Sequence, residues 1–259
     1  MAMVEKKVPY EVNGRQFEGK IVYDDSVKAK RPAVYMQPDW KGIDADTTGQ
    51  AREVAGRDYV VLMADMFGKG YGDKPKDQAQ LRAGMLAVHK DRPFTLACGK
   101  KAFDTMRDEA DKLGLIEPGK SVAVGYCAGG GYVLEQARAG APFKGVVVFH
   151  VTNPNPVDPG TPCNIKGRVL AIHGRADPVT PKPMMDALED ELAKAKVDWH
   201  IVTFGRGVHS FCDPTAKNPA ATEKKIALSS ANTVRQKCSK VIPPIRNGRA
   251  SMGKIATMP

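Results

Sequence analysis

The sequence predicts an α/β fold with a mainly parallel central sheet and helices on both of its faces. Short apolar runs alternate along the chain with longer segments of helical periodicity. Such alternation is typical of parallel sheets, because each strand returns through a helix that packs on the sheet. Residues with reactive side chains follow several of the predicted strands, and the carboxyl ends of parallel strands are where such folds place their sites.

The elements of this fold can be assigned in chain order. The predicted strands are 32–37, 58–64, 121–124, 144–150, 168–174 and 198–204. The predicted helices are 46–56, 77–90, 95–113, 132–139, 182–195 and 216–237, with a break at Pro93 between the second and third. The opening segments VPYEV and FEGKIVY predict a leading antiparallel pair. Since no repeat or Gly/Ser linker interrupts the chain, we expect one domain over residues 1–240 and a basic tail over 241–259.

The positive charge of the chain is concentrated near its end. The 259 residues carry a formal net charge of +10 at pH 7, and residues 235–259 contain six lysines and arginines and no acid. This stretch has no aromatic residue and matches no nucleic-acid-binding motif. We therefore expect a solvated basic tail and no nucleic-acid partner, with a weak anionic contact as the alternative.

Signals for membranes and export are not visible in the sequence. No apolar run approaches the roughly 20 residues that span a bilayer. The opening residues MAMVEKKVPYEV contain no hydrophobic leader region. The expectation is a cytoplasmic protein without a membrane partner. A periplasmic or secreted chain whose leader was removed is the alternative, and the oligomeric state is left open.

The cysteines predict neither a zinc site nor a disulfide scaffold. There are five, and no two are spaced as C-x-x-C. The four remaining histidines besides His209 have no metal-ligand spacing and are expected to be structural, although two of them end strands and could approach the site. We expect no metal and no organic cofactor. Those histidines are His89, His150, His173 and His200.

One cysteine lies in a sequence typical of a catalytic nucleophile. In SVAVGYCAGGGYVLEQ a short apolar strand meets Gly125-Tyr126-Cys127-Ala128-Gly129, and a helix follows at once. This is the nucleophile-elbow pattern with Cys in place of Ser, and its glycines allow the strand and helix to approach. The helix N-terminus favours a thiolate at Cys127, and the N–H of Ala128 is a candidate oxyanion donor. A buried cysteine in a glycine-rich turn is the alternative.

Two partners for this cysteine follow later strands. Asp177 lies in HGRADPVTP after one predicted strand, and His209 lies in GRGVHSFCDP after the next. Taken singly, each is more typical of a turn aspartate or a surface histidine. Nucleophile, acid and histidine in this order, each after a separate strand, predict a catalytic triad. His209 would take the proton of Cys127, and Asp177 would fix the histidine tautomer.

These motifs together resemble the dienelactone hydrolase family of α/β-hydrolases. The similar segments are QPDWKGID, LMADMFGKG, GYCAGG, HGRADPVTP and GVHSFCDP, and the resemblance runs from about residue 10 to 237. It implies the α/β-hydrolase fold and hydrolysis of an ester or lactone through a thioester. It also implies that Asp39 matches the family's cysteine-contacting glutamate, although a turn residue is the alternative. The N–H of Trp40 would be a second oxyanion donor.

The resemblance also bears on the substrate, an ester or lactone of small size. Two arginines that hold a substrate carboxylate in some members correspond to Lys69, which keeps the charge, and Asp213, which reverses it. We therefore expect a neutral ester or lactone, with phosphotriesters as a side activity. Four aromatic residues could line an apolar pocket or simply pack in the core: Trp40, Phe67, Tyr71 and Phe211.

Three functions other than hydrolysis are alternatives: nucleotide binding, ligand binding without catalysis, and redox sensing. The segment from Gly114 to Ser121 spells a P-loop, but it is predicted to follow a helix and open a strand, the reverse of a phosphate-binding loop. A non-catalytic α/β-hydrolase that only binds ligands is one alternative. A redox-sensing thiol protein is another, and it requires a second thiol near Cys127.

Overall fold

The computed structural model describes residues 2–213, which form one eight-stranded sheet flanked by five helices. The strands are β1 Met3–Val12, β2 Arg15–Asp24, β3 Arg31–Gln37, β4 Val60–Met63, β5 Ile116–Tyr126, β6 Gly145–Phe149, β7 Arg168–Gly174 and β8 Trp199–Phe204. The helices are α1 Ala45–Ala55, α2 Gln78–Lys90, α3 Arg92–Lys112, α4 Ala128–Arg138 and α5 Lys182–Lys194. The predicted helix 216–237 and the basic tail lie outside the described residues.

The sheet is mainly parallel, which confirms the predicted fold class. Its strand order is β1-β2-β4-β3-β5-β6-β7-β8. The opening hairpin β1–β2 is antiparallel and joins the sheet antiparallel to β4, and every later pair is parallel. The carboxyl ends of β5, β7 and β8 therefore lie at the same edge, where Cys127, Asp177 and His209 follow them.

Two apolar cores lie on the two faces of the sheet. Successive strand residues point to opposite faces, so Tyr35 belongs to the larger core while Val34 and Met36 belong to the smaller one. Helices α2, α3, α4 and α5 cover the larger core, and α1 packs on the smaller one. Helices on both faces were predicted, and this arrangement is found.

Most predicted boundaries differ from the observed ones by one to three residues, and two of them differ by more. Helix α4 begins at Ala128, four residues before the predicted 132, because Gly129, Gly130 and Gly131 are helical here despite their poor helix propensity. Strand β5 begins at Ile116 and includes most of the P-loop-like segment. That segment therefore leads from α3 into a strand and does not open a helix.

A buried arginine ties the helices to the loop beside the site. Arg138 is fully buried, with Nε and Nη2 each 2.7 Å from the carboxylate oxygens of Glu191 and Nη1 2.9 Å from Glu135. It also donates to the Pro154 carbonyl in the loop after β6. Buried charges are tolerated when they are paired and hydrogen-bonded, as here. The network fixes α4, α5 and this loop relative to one another.

No helix within residues 2–213 is long and apolar enough to cross a membrane.

Candidate active site

Cys127 occupies a strained turn between β5 and α4. Its backbone has φ 53° and ψ −117°, a conformation that residues other than glycine rarely adopt. Three hydrogen bonds hold it there: its N–H donates to Phe149 O at 3.1 Å, and its carbonyl accepts from Gly130 N at 3.1 Å and Thr152 N at 2.9 Å. The turn raises the side chain above the sheet edge, at the base of a cavity.

Glycines around this turn allow backbone segments to approach closely. A Cβ on Gly125 would lie 2.5 Å from Gly129 O, and a Cβ on Gly129 would lie 2.2 Å from Gln37 O. A Cβ on Gly131 would lie 2.6 Å from Thr152 O. The first two positions fit the sequence prediction. The third brings the loop after β6 against the nucleophile turn, which the sequence motif does not indicate.

The three residues predicted as a triad lie in hydrogen-bonding distance in the predicted order. His209 Nε2 is 3.1 Å from Cys127 Sγ, and His209 Nδ1 is 2.8 Å from Asp177 Oδ2. The second carboxylate oxygen, Asp177 Oδ1, accepts from the N–H groups of Val179 and Thr180 at 2.8 and 3.2 Å. Backbone hydrogen bonds therefore fix Asp177 on one side of the imidazole, and those of the turn fix Cys127 on the other.

A close contact between glycines brings the acid and histidine loops together. Gly174 ends β7, and a Cβ there would lie 2.3 Å from Gly207 O. The same carbonyl accepts from Ala176 N at 3.0 Å. The two loops can thus place Asp177 and His209 side by side although 32 residues separate them in the chain.

Burial and hydrogen bonding set the charges of this group. Burial favours the neutral carboxyl of Asp177, but the hydrogen bond and charge of His209 outweigh it and hold the pKa of Asp177 below its usual value. Burial also favours a neutral His209, but its hydrogen bonds to Asp177 and Cys127 prevail and raise its pKa to about 10. The arrangement favours a charged imidazolium of His209 beside the carboxylate of Asp177.

A second histidine lies beside the first. His150, at the end of β6, has its ring 5.1 Å from that of His209, edge to face. Its Nε2 is 3.0 Å from Cys212 Sγ, and its Nδ1 is buried without a hydrogen-bond partner in the described part of the chain. Burial, together with the nearby charge of His209, lowers the pKa of His150 to about 3. The ring is therefore neutral.

The cavity above Cys127 has a volume of about 500 Å³. Its wall combines apolar side chains with at least as many polar or charged ones. Arg82, an exposed cation on α2, lies on this wall. Other lining residues are Trp40, Met85, Leu86, Thr152, Asn153, Pro178 and Val179.

Asp39 and Trp40 line the cavity, but the hydrogen bond found for the Asp39 carboxylate leads away from Cys127. Asp39 Oδ1 accepts from Lys41 N at 2.8 Å, and Lys41 Nζ is 3.8 Å from Asp39 Oδ2. Burial raises the pKa of Asp39 to about 6, against the opposing effect of Lys41. Ala128 is the first residue of α4, so its N–H has no intrahelical acceptor.

The other expected binding residues do not line the cavity. Lys69 is exposed, with Nζ 3.8 Å from Glu18. Phe67 and Tyr71 stack on each other with ring centroids 4.6 Å apart, and Phe211 is buried in the smaller core against His150. For these aromatic residues the structure favours the core-packing interpretation.

The position of Asp213 gives little support for repulsion of a substrate carboxylate. Asp213 Oδ2 lies 4.0 Å from Lys41 Nζ, and the residue is not on the cavity wall. Arg82, which is on the wall, was not singled out in the sequence because nothing in a helical pattern marks which residue faces a distant loop. The described residues therefore do not exclude a substrate that carries an anionic group.

Thr152 is a further site residue that the sequence did not indicate. Its Oγ1 lies 3.3 Å from Cys127 Sγ, it is almost fully buried, and it lines the cavity. Only the pairing of β5 with β6 brings this loop to the nucleophile turn. Its hydroxyl can donate to a thiolate at Cys127.

The fold is that of an α/β-hydrolase: a mainly parallel sheet in which a cysteine, an aspartate and a histidine follow separate strands in the order typical of such proteins. The sequence model of the dienelactone hydrolase family matches residues 17–234. The chain belongs to this family.

Solved structures agree with this assignment. A protein named m3DLH is 31% identical, with a TM-score of 0.83 and coverage of 93% of this chain and 99% of its own. A dienelactone hydrolase-like promiscuous phosphotriesterase from metagenomic libraries is 29% identical, with a TM-score of 0.78 and coverage of 91% and 99%.

One curated relative matches a shorter stretch. The "Putative carboxymethylenebutenolidase" of Saccharolobus solfataricus is 29% identical over 92 residues. The match covers 36% of this chain and 34% of that protein, so the chain spans about a third of the relative's length.

The Thr152 hydroxyl can be tested with two substitutions. Thr152→Val keeps the shape and removes the hydroxyl, so we expect alkylation of Cys127 by iodoacetamide at pH 7.5 to slow roughly tenfold, since hydrogen bonds to charged groups contribute about 1.5–3 kcal/mol. Thr152→Ser keeps the hydroxyl and should stay within about twofold of wild type by the same reasoning. Equal rates for valine and wild type would show that the hydroxyl does not stabilise the thiolate.

The buried carboxyl of Asp39 predicts a pH-dependent stability. Its folded pKa of about 6 is above the ordinary aspartate value of 3.8, so the folded state binds the proton more tightly. Stability from this group is full below pH 3.8 and is lost as pH rises through about 6. At pH 7.5, Asp39→Asn should raise the free energy of unfolding by about 1–2 kcal/mol. Near pH 4 the gain should vanish.

Urea denaturation of wild type and variant at the two pH values measures this difference. Asp46→Asn is the matched control, because it removes a more exposed carboxylate from the same lysine, 3.6 Å from Lys41 Nζ. Its effect at each pH is subtracted from that of Asp39→Asn, so that the remaining difference reports the burial of Asp39. A constant effect of Asp39→Asn across this range would contradict the raised pKa.

Proposed function

We propose that this protein hydrolyses small carboxylic esters or lactones, with Cys127 as the nucleophile. The observation that carries the proposal is the position of His209, which bonds Cys127 on one side and Asp177 on the other at the base of a cavity. A nucleophile, its base and a third group that orients the base are the three parts required for covalent catalysis. Membership of the dienelactone hydrolase family supports the same reaction class.

The first half of the reaction acylates the cysteine. The Cys127 thiolate attacks the ester carbonyl, and the negative charge moves to the carbonyl oxygen. The N–H groups of Ala128 and Trp40 are proposed to receive that oxyanion, the former at the N-terminus of α4. His209 Nε2 then gives its proton to the departing alcohol oxygen, and a thioester remains on Cys127.

The second half releases the acid. Neutral His209 takes a proton from water, which attacks the thioester carbonyl, and the thiolate leaves and pairs with the imidazolium again. Throughout, Asp177 holds Nδ1 and offsets the imidazolium charge. Its own two backbone donors keep the carboxylate in place for both halves.

Phosphotriesters are the second candidate substrate class. The supporting observation is the likeness to a solved structure that is 29% identical and is named as a promiscuous phosphotriesterase. A thiolate beside oxyanion donors can attack phosphorus as well as carbon, since both reactions develop charge on an oxygen. We propose this as a side activity of the same site.

The cavity gives limited guidance on the acyl group. Its apolar wall from Met85, Leu86 and Val179 fits a hydrocarbon portion, and Arg82 offers a cation to an anionic one. An assay should therefore include a neutral ester series and one ester that carries a carboxylate. The two remaining classes, a non-catalytic binding protein and a redox-sensing thiol protein, predict no turnover of either.

Substitution of the nucleophile tests the proposal. Wild type should hydrolyse short p-nitrophenyl esters, and Cys127→Ala should lose about three orders of magnitude or more in kcat, because triad members act as a unit. Cys163→Ser is the matched control, since Cys163 is a half-exposed free cysteine outside the cavity, and it should keep wild-type rates. Equal rates for wild type and Cys127→Ala would refute a Cys127 hydrolase.

A further inference from the structure

A third donor stands beside the Cys127–His209 pair. Cys127, His150 and His209 each offer one ligand atom, and these three atoms lie within 4.8 Å of one another. The catalytic mechanism uses the first and the last but has no role for His150. Its presence at this point calls for a separate physical explanation.

One ring nitrogen of His150 is in contact with another side chain, and the other has no hydrogen-bond partner among the described residues. Nε2 is 3.0 Å from Cys212 Sγ, whereas Nδ1 is buried and has no hydrogen-bond partner within residues 2–213. A buried polar atom without a partner is unfavourable and usually indicates a function or a missing ligand. The residue is 97% buried, so this nitrogen is not satisfied by bulk water.

We propose that Cys127, His209 and His150 form a reversible binding site for a soft or borderline divalent cation, with Zn²⁺ and Cd²⁺ as the chemical class. Thiolate sulfur and imidazole nitrogen are the ligands that these ions prefer, and three protein ligands with one open position are a common zinc arrangement. Zinc–sulfur and zinc–nitrogen bonds of about 2.3 and 2.0–2.1 Å place tetrahedral donors about 3.5 Å apart. Cys127 Sγ and His209 Nε2, at 3.1 Å, need little movement.

The surroundings also suit a metal. Asp177 accepts from His209 Nδ1, and a carboxylate behind a ligating histidine orients the ring and strengthens it as a donor. Cys127 and His209 face the cavity, which gives the ion a path of entry and leaves its fourth position for water.

Metal binding and hydrolysis exclude each other at this site. The cation takes the electron pair of Cys127 that attacks the ester and the nitrogen of His209 that moves protons. The bound form is therefore inactive, and a chelator restores the free thiolate. Excess zinc thus acts as a reversible inhibitor that also protects the thiol from alkylation.

The test uses the full-length protein freed of metal with EDTA and then dialysed. Cd²⁺ is titrated while the thiolate-to-metal charge-transfer absorption is followed, and Zn²⁺ is titrated against ester hydrolysis. We expect one equivalent of Cd²⁺ and loss of the band in Cys127→Ser. His150→Phe keeps an aromatic ring but offers no nitrogen, and should need about tenfold or more Zn²⁺ for half inhibition.

Two controls separate this site from general metal binding. Cys163→Ser removes a half-exposed thiol and His200→Phe removes an exposed histidine of β8, and both should keep wild-type metal affinity. Equal zinc affinity of His150→Phe and wild type would overturn the third ligand. The cadmium titration does not require turnover, so failure of the proposed hydrolase and failure of the metal site are distinguishable.

If His150→Phe does not fold, the third ligand can be tested on the wild-type protein. X-ray absorption at the zinc edge of the one-to-one complex should give one sulfur and two imidazole ligands. One sulfur with a single imidazole would overturn the proposal.

Discussion

Four stretches of backbone meet at Cys127, and they come close only because glycines stand where side chains would collide. Gly125 and Gly129 let β5, α4 and the end of β3 approach, and Gly131 admits the loop after β6. The resulting turn holds Cys127 at a positive φ. Strain of this kind persists only when the surroundings over-determine it. Here the backbone hydrogen bonds that Cys127 donates to Phe149 and accepts from Thr152 do so, and the second brings the Thr152 hydroxyl to the sulfur.

Electrostatics at the site follow from this geometry. With the sulfur fixed, the loops after β7 and β8 need only place Asp177 and His209 in line, and the Gly174–Gly207 contact joins those loops. Burial alone would favour neutral groups, but the chain of hydrogen bonds stabilises the charged imidazole, whose pKa rises to about 10. The neighbouring His150 has no hydrogen bond to a carboxylate among the described residues, and burial keeps it neutral. Of these two adjacent histidines, one is therefore charged and the other is neutral.

The sequence predicted the parts that depend on local pattern and chain order. Strand and helix alternation predicted the parallel sheet, and the glycine-flanked cysteine predicted the turn at Cys127. The positions of Thr152 and Arg82 could not be predicted, because strand pairing and loop packing between distant segments bring them to the site. For His150 the sequence indicated only that a histidine at a strand end could approach it. The resemblance indicated Lys69 as a binding residue and Asp213 as one that repels a carboxylate, but neither lies on the wall of the cavity. Aromatic residues such as Phe211 are equally typical of cores and pockets, and only packing distinguishes the two.

The central claim is that the acyl group of the substrate passes through a thioester on Cys127. Acid quenching during steady turnover of a slow p-nitrophenyl ester, followed by mass spectrometry of the peptides, tests it directly. We expect an added acyl mass on the peptide that contains Cys127, which appears with the first turnover and is lost when substrate is exhausted. Turnover with an unmodified Cys127, or with the acyl group on another residue, would contradict it.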